Sequence, residues 1–510
     1  MNKAIGSLDA IKEKIELFLL DHPSAVLTEP GREVMDIAAS SYSLSVQYDK
    51  LLWHIWNEHA NLVRQITGLQ KEKPGRLELR FQRFGKGPAG TLVLADSRAT
   101  PEQLDRRARR VQFSRTLRRW LHQLFPQWKV EELTSEPDWG RSLSGRYARG
   151  VLARGQQAWA VIGTGDQEDP SAAEGILTYG LIWLDWLRRR NPSRVVTGLK
   201  IFLPSGKADT TLQRLAWMDK DLARWEVYEA GEEIRIGDSA DVGNLRTRLS
   251  PVRDTAPLRP DLRKASERII GWSPQIETRA GAGGLRDWSI RGLVFAKETA
   301  RGIVFGLGRA ESPLGEASFV ELEDLIHRIL HFRRADTQDP THPFYRIQAE
   351  HWMQSILSRQ PDRIGHDLVS DPIYEQVLAI SGIDRGLMDL LALNTQGRLV
   401  LMELKASEDI HLPLQALDYW MRVHWHHQRG ELLHSGYFAG RELSSQSPLL
   451  LLISPALQFH STCETVLRYF APSVEVVRVG LNENWREQVQ VVFRASRQPA
   501  LARGMERDGL

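Results

Sequence analysis

Apolar positions recur along this chain with two different periods. Leu8, Ile11, Ile15, Phe18 and Leu19 fall on one face of a helix, and Asp9, Lys12, Glu13, Lys14 and Glu16 take the others. Residues 1 to about 45 read as helix and helix-turn, ending near the polar stretch Ser40, Ser41, Tyr42, Ser43. Residues 76–84 alternate with period two, the mark of a half-buried strand. Residues 85–90 are a turn, and 91–95 return as a second strand. An arginine-rich helix follows, with Leu104, Ala108, Val111, Leu117, Leu121 and Leu124 as its buried stripe. Residues 158–163 read as a buried strand, 172–190 as a helix rich in Trp and Leu, and 198–204 as another strand. That rhythm predicts an α/β layer. Residues 237–266 are rich in Pro, Asp and Arg with little periodicity, which predicts a linker or long surface loop. A hairpin is expected over 289–297 and 302–307. Residues 319–333 form a helix with Leu322, Leu325, Ile326, Ile329 and Leu330 on one face, and 334–343 are a linker.

The C-terminal third breaks its own pattern in an informative way. Residues 346–358 form a helix whose apolar face is Ala349, Trp352, Met353, Ile356 and Leu357, with Glu350 at its edge. A short strand over 377–380 precedes an apolar strand, 386–393, that is interrupted only by Asp389. After the turn 394–398 a second apolar strand, 399–406, is interrupted by Glu403 and Lys405. A strand buried on both faces does not carry unpaired charge without a large penalty. Glu403 and Lys405 are two apart and share a face of their strand, and Asp389 joins them if the turn makes a hairpin. A hard divalent cation bound by oxygen would relieve the repulsion between the carboxylates. Phosphodiester hydrolysis needs such an assembly: a cation to bind the phosphate and acidify a water, and an ammonium to orient that water or neutralise the charge. The plain alternative is a strand-end salt bridge between Glu403 and Lys405, with Asp389 capping a turn.

Asp389 followed fourteen residues later by Glu403-Leu404-Lys405 resembles the Asp…Glu-x-Lys signature of PD-(D/E)xK nucleases. Gln415 and Tyr419, one helical turn apart, resemble the Gln-x-x-x-Tyr motif of the RecB-like branch. Glu350 matches the acidic residue that many members carry on the first core helix. The resemblance covers residues 340–480, where 449–453 read as a strand, 459–470 as a helix and 474–479 as a strand. It implies a restriction-endonuclease-like mixed sheet flanked by helices. Asp389, Glu403 and the Leu404 carbonyl would bind Mg²⁺ or Mn²⁺ with help from Glu350, Lys405 would position the water, and Gln415 and Tyr419 would support the site. Met388 stands where the family has proline. No upstream metal-binding His of the RecB type is evident: His351 faces away from the apolar stripe and His366 falls in a loop.

Composition changes this picture little. With 42% hydrophobic and 26% charged residues the chain has a globular balance, and a net charge of +3 does not by itself point to nucleic acid. Distribution says more: Arg106, Arg107, Arg109, Arg110, Arg115, Arg118 and Arg119 form either a solvated helix face or a phosphate-contacting stripe. One cysteine, Cys463, excludes an intrachain disulfide and a multi-cysteine zinc site, and no run of 18 apolar residues predicts a membrane span. Cytoplasmic residence is therefore expected. His424, His426 and His427 read as solvated helix-end histidines, residues 281–284 are not a P-loop, and no Gly-x-Ser-x-Gly occurs.

The expectation is a multidomain α/β protein. An N-terminal α+β domain (1–145) carries the arginine-rich helix, a central α/β domain (146–335) contains the linker near 237–266, and a PD-(D/E)xK-like nuclease domain spans 336–510. The central strand–helix–strand repeats the rhythm of the nuclease core, with Val161-Ile162-Gly163 at the Glu-x-Lys position. It is either a degenerate nuclease-like unit used for binding or dimerisation, or a coincidence of a common motif. The function implied is metal-dependent cleavage of DNA, with RNA as a second candidate, in repair or in defence against foreign DNA. Its rivals are a non-catalytic nucleic-acid binder and a scaffold in which the arginine-rich segment meets a protein partner.

Overall fold

Alternation builds the first sheet. In β4 (Lys50–Trp56) and β6 (Arg76–Gln82) every second side chain is buried. With β1 (Ala25–Thr28), β2 (Met35–Asp36), β3 (Ser41–Gln47), β5 (Asn61–Lys73) and β7 (Ala89–Asp96) they form an antiparallel sheet of order β2-β1-β7-β6-β5-β4-β3. Helix α1 (Leu8–Asp21) lays Ile11, Ile15, Phe18 and Leu19 on it, against Trp53, Ile55, Leu79 and Phe81. The helical reading to about residue 45 holds only for α1. Residues 41–47 alternate Ser or Gln with Tyr42, Leu44 and Val46, a period-two pattern that pairs with β4.

The computed structural model describes residues 8–29, 35–47, 50–56, 61–73, 75–82, 89–96, 101–238, 247–252, 257–281, 284–308, 310–365, 367–381 and 384–496, and within these it does not describe the side chains of 101–108, 376 and 378–387 among others. The chain forms two units, 1–216 with 220–240, and 217–219 with 241–510.

The first unit also holds a mixed sheet of order β13-β12-β11-β10-β9-β8, from β8 (Lys129–Thr134), β9 (Ala148–Arg154), β10 (Gln157–Gly163), β11 (Val195–Pro204), β12 (Arg224–Ala230) and β13 (Ile234–Gly237). The arginine-rich helix α2 (Pro101–Leu124) packs on this sheet through Leu117 and Leu121, against Leu152, Val161 and Phe202. Its stripe is Phe113, Leu117, Trp120, Leu121 and Leu124. Val111, expected in it, falls off that face and is exposed. Leu104 and Ala108 lie outside the described side chains. Helix α3 (Pro170–Arg190) crosses between the parallel strands β10 and β11, and α4 (Asp209–Leu215) crosses between the parallel β11 and β12. Asp169 caps α3 by accepting from the Ser171 amide, and Arg188, Arg189 and Arg190 close its C-terminal turn, each favoured by the helix dipole.

The second unit begins with β14 (Thr247–Leu249), inside the stretch expected to be a linker. Helix α5 (Arg263–Gly271) and the antiparallel sheet β15 (Ile276–Ala280), β16 (Arg286–Ile290), β17 (Leu293–Thr299), β18 (Gly302–Leu307) and β19 (Ala310–Pro313) follow, with α6 (Phe319–Phe332) burying Leu322, Ile326 and Ile329 on them. The expected strand over 289–297 is two strands. Arg291 (φ 48°) and Gly292 (φ 75°) both take left-handed backbone and make a tight turn between β16 and β17. After α7 (Pro343–Arg346) and α8 (Ala349–Leu357) come β20 (Tyr374–Ser381), β21 (Asp384–Leu393), β22 (Leu399–Leu404), α9 (Leu412–Gln428), α10 (Glu431–His434), β23 (Leu449–Pro455), α11 (Cys463–Leu467), β24 (Val476–Leu481) and β25 (Val491–Ser496). The helix expected over 459–470 is only the five residues of α11.

These strands form a mixed sheet of order β14-β20-β21-β22-β23-β24-β25. Strands β20, β21 and β22 are an antiparallel meander, β22, β23 and β24 run parallel, and β25 turns back. The sheet of α3 has the same plan: the meander β8, β9, β10, the parallel set β10, β11, β12, and the reversed β13. The protein is thus a mixed α/β chain of several sheets. Among the described residues no helix is long and apolar enough to cross a membrane.

Helix α8 is fixed at its first turn from outside. Arg333, fully buried, donates to the carbonyls of Phe344 (3.0 Å), Ile347 (2.6 Å) and Gln348 (3.1 Å), and to that of Arg291. At Gly292 an added Cβ would stand 2.0 Å from the His351 carbonyl. Gly292→Ala is therefore expected to cost about 3 kcal/mol or more, from clash plus left-handed strain. Gly308→Ala, at φ 65° with nothing within 4 Å of the new carbon, should cost only about 1 kcal/mol. Urea unfolding compares them, and equal losses would refute the close packing of this turn on α8.

Candidate active site

Strand β22, Leu-Val-Leu-Met-Glu-Leu, is buried along its whole length between β21 and β23. Leu390, Ala392, Val400, Met402 and Leu404 face the core made with Trp352, Met353 and Leu357 of α8. Glu403 points to the other side of the sheet, where Tyr419 of α9 lies within electrostatic reach of it.

The β21–β22 ladder pairs Leu390 with Met402 and stops there. One more step of the same register brings Asp389 opposite Glu403. The next amide, that of Leu404, donates to Asp389 Oδ2 at 2.8 Å. The side chain thus replaces a backbone acceptor where the ladder ends, which fixes its position. On the opposite edge the Lys405 amide donates to the Ile453 carbonyl at 3.0 Å. Glu403 is only 6% exposed, and its Oε2 is buried with no hydrogen-bond partner among the described residues.

Lys405 Nζ lies 3.3 Å from Asp409 Oδ2, while Asp409 Oδ1 accepts from the His411 amide at 2.8 Å. Asp409 therefore shapes the turn into α9 and anchors the lysine in one contact. It was not singled out from the sequence. The available signal was an Asp two residues before the N-cap His411 of α9, the position of an Asx turn. Glu350, in the first turn of α8, reaches the same strand end, and its Oε1 accepts from the Ala406 amide at 3.2 Å. Gln415 and Tyr419 lie one turn apart on α9, both half-buried, with the Arg422 guanidinium 5.9 Å over the Tyr419 ring.

Burial pushes the Asp389 carboxyl up to about 6, against the Leu404 amide and Lys405, with Glu350 adding to the rise. Burial, then Asp389, pushes Glu403 well above the usual carboxylate range. Burial pulls Lys405 down, but Asp409 and Glu403 outweigh it and raise its pKa, so Lys405 is an ammonium at neutral pH. Burial, then Glu403 and Asp389, raises the Tyr419 hydroxyl, which stays protonated.

The structure thus brings Asp389, Glu403, Lys405, Glu350 and Tyr419 to one end of β22. Among the described residues no group of three or more His, Cys, Asp and Glu side chains forms a set ready to hold a metal ion. Two carboxylates, Asp389 and Glu403, fit a hard divalent cation: the buried Glu403 Oε2, with no hydrogen-bond partner among the described residues, stands beside a second acid. Glu350 would have to release the Ala406 amide to join them.

The other candidates are placed elsewhere. His351 Nδ1 lies 3.2 Å from Gln348 Oε1, and His366 is outside the described residues. His424 and His426 are buried, not solvated: His424 stacks on Trp420 at 4.7 Å, and His426 lies between Glu431 (2.6 Å) and Thr247 (3.0 Å). On α2, Arg115, Arg118 and Arg119 are exposed and Arg109 and Arg110 are half-buried. The side chains of Arg106 and Arg107 are outside the described set. No protein-family model and no curated protein matches the chain.

The acid pair sets a pH dependence of definite sign. A carboxyl whose folded pKa is raised binds more protons folded than unfolded, so the metal-free fold loses stability as pH rises from about 4 through about 6. In chelator, urea stability should fall across that window. Asp389→Asn, which keeps an acceptor for the Leu404 amide, should flatten the fall and gain on the order of 2–3 kcal/mol at pH 8. Excess Mg²⁺ should stabilise the wild type and not this variant. A wild-type stability that climbs from pH 4 to 6 would contradict the assignment.

Proposed function

We propose that the second unit is a nuclease of the PD-(D/E)xK type, dependent on Mg²⁺ or Mn²⁺ and acting on DNA. The observation that carries the reading is the buried Glu403 oxygen, without a hydrogen-bond partner among the described residues, beside Asp389, with Lys405 at the same strand end. A structural strand-end salt bridge would pair Glu403 with Lys405, whereas the ion pair Lys405 makes is with Asp409. The antiparallel meander into β22, followed by parallel β23 and β24 with helical crossovers, suits a restriction-endonuclease-like sheet.

In hydrolysis a water oxygen bonds to phosphorus, one P–O ester bond breaks, and the departing oxygen takes up a proton. A bound divalent cation would supply charge neutralisation at the phosphate and acidify the water. Asp389 and Glu403 would hold it. Lys405, kept as an ammonium by Asp409, donates hydrogen bonds to the attacking water or to a non-bridging oxygen. Being protonated, it does not act as the base. Tyr419, also protonated, is a donor on the helix side, with Gln415 one turn away. DNA repair or defence against foreign DNA in the cytoplasm are the settings such an activity would serve.

One observation favours a second reading. Glu350 is engaged with the Ala406 amide, which leaves two acids where a cutting site gains from three. That geometry suits a nuclease-like core that binds nucleic acid without cleaving it.

Labelled linear, circular and single-stranded DNA, and RNA, incubated with Mg²⁺ or Mn²⁺ decide between them. The wild type should cleave, and Asp389→Ala and Lys405→Ala should each lower the rate at least about 10²-fold. Cutting of the circle would show endonuclease action. Binding without cutting of any substrate would establish the second reading. Asp409→Asn should cost about tenfold and move the alkaline limb of the pH–rate profile to lower pH, because the Lys405 ammonium loses its main support. An unchanged profile would remove Asp409 from this role.

A further inference from the structure

The sheet β8–β13 carries a cavity of about 530 Å³ at the C-terminal ends of its parallel strands, walled by Thr164 after β10, Pro204 ending β11 and Ala230 ending β12. In the sheet of the second unit, the corresponding end of β22 holds Glu403 and Lys405. The acids are not repeated here. On the face toward the crossover helix α3, where Gly180 leaves room for it, β10 presents Ile162, and the residue paired with Ile162 on β9 is Arg149. None of the cavity's residues belongs to the acid site.

Its lining is chemically mixed. Arg109, Arg110 and Arg146 bring three guanidinium groups. Arg110 is held two-pronged by Glu168 (2.7 and 3.3 Å), and Arg146 Nη1 donates to Ser171 Oγ at 3.3 Å, so both forks are preset. Phe113 lies against Gly165, where a Cβ would come within 3.2 Å of the ring, and Trp120 meets Phe113 at 6.1 Å. The two half-buried rings, set edge to face at 76°, make an apolar wall. Asp166 is an exposed acceptor at the rim.

We propose that this cavity binds a nucleotide. The volume is that of a small-ligand site. Arginines suit a phosphate, the aromatic wall suits the face of a base, and a rim carboxylate suits sugar hydroxyls. A simple anion would use neither the rings nor the acid, and an apolar ligand would make no use of the arginines. The ends of parallel strands in an open α/β sheet are also where such ligands sit. The assignment rests on the lining and not on cleavage by the second unit.

Isothermal titration of the full chain with AMP, GMP, CMP and UMP tests it, with adenosine and inorganic phosphate as the separate halves. At least one monophosphate should bind in the micromolar range, and at least about tenfold more tightly than either half. Arg109→Ala or Arg146→Gln, with unchanged melting, should weaken it about tenfold. Asp389→Ala should bind as the wild type does. No binding of any monophosphate to 1 mM, equal binding by phosphate or adenosine alone, or undiminished binding in both arginine variants would overturn the proposal.

Discussion

Two acids in the interior of a sheet are the constraint around which the second unit is arranged. Glu403 sits on a strand buried along its whole length, opposite Asp389, and burial, then Asp389, raises its cost of ionising. A fold selected for stability alone would place leucine at both positions. Under the proposed function a divalent cation would offset that cost. Lys405 offsets part of that cost electrostatically, while its direct ion pair is with Asp409.

Holding those acids in register takes more than the strand itself. Asp389 is oriented by the Leu404 amide, at the step where backbone pairing stops. At the same strand end, Glu350 accepts from the Ala406 amide and depends on where α8 begins. That start is set by Arg333, which donates only to carbonyls. Burial, with Arg486 and Arg291 nearby, lowers its pKa to about 9. Three guanidinium groups, of Arg291, Arg333 and Arg486, lie over the Trp352 ring at 5.8, 4.8 and 5.3 Å. The β16–β17 turn closes against the same helix, with no room for a side chain at Gly292. The five-stranded sheet thus braces the first turn of α8.

One strand plan serves two chemistries in this chain. The sheet of β20–β25 collects acids at the end of β22, while the sheet of β8–β13 collects arginines and aromatic rings at the same end of its parallel strands. The common feature is geometric: where parallel strands end, loops diverge and leave space that crossover helices do not fill. Side chains then decide what the space takes. A buried Lys200, paired with Glu226 and set 3.9 Å over the Trp159 ring, shows that the first unit also tolerates a charged group inside, but with its partner beside it.

The sequence by itself determined which residues could meet. Period two put Glu403 and Lys405 on one face of their strand, period 3.6 put Gln415 and Tyr419 on one face of α9, and apolar runs marked β10, β11, β22 and β23. These follow from local backbone geometry, which the chain carries everywhere with it. The period-two pattern of 41–47 was also present in the sequence, but the turn at Arg291-Gly292 that divides one apolar run in two was not marked by period. Nor did period place Asp409 against Lys405, turn Glu350 to the Ala406 amide, or gather Arg109, Arg146 and Trp120 around one cavity. Those contacts are set by strand register and helix packing. A shift of a single residue would have turned each side chain to the other face, so only the tertiary structure decided them.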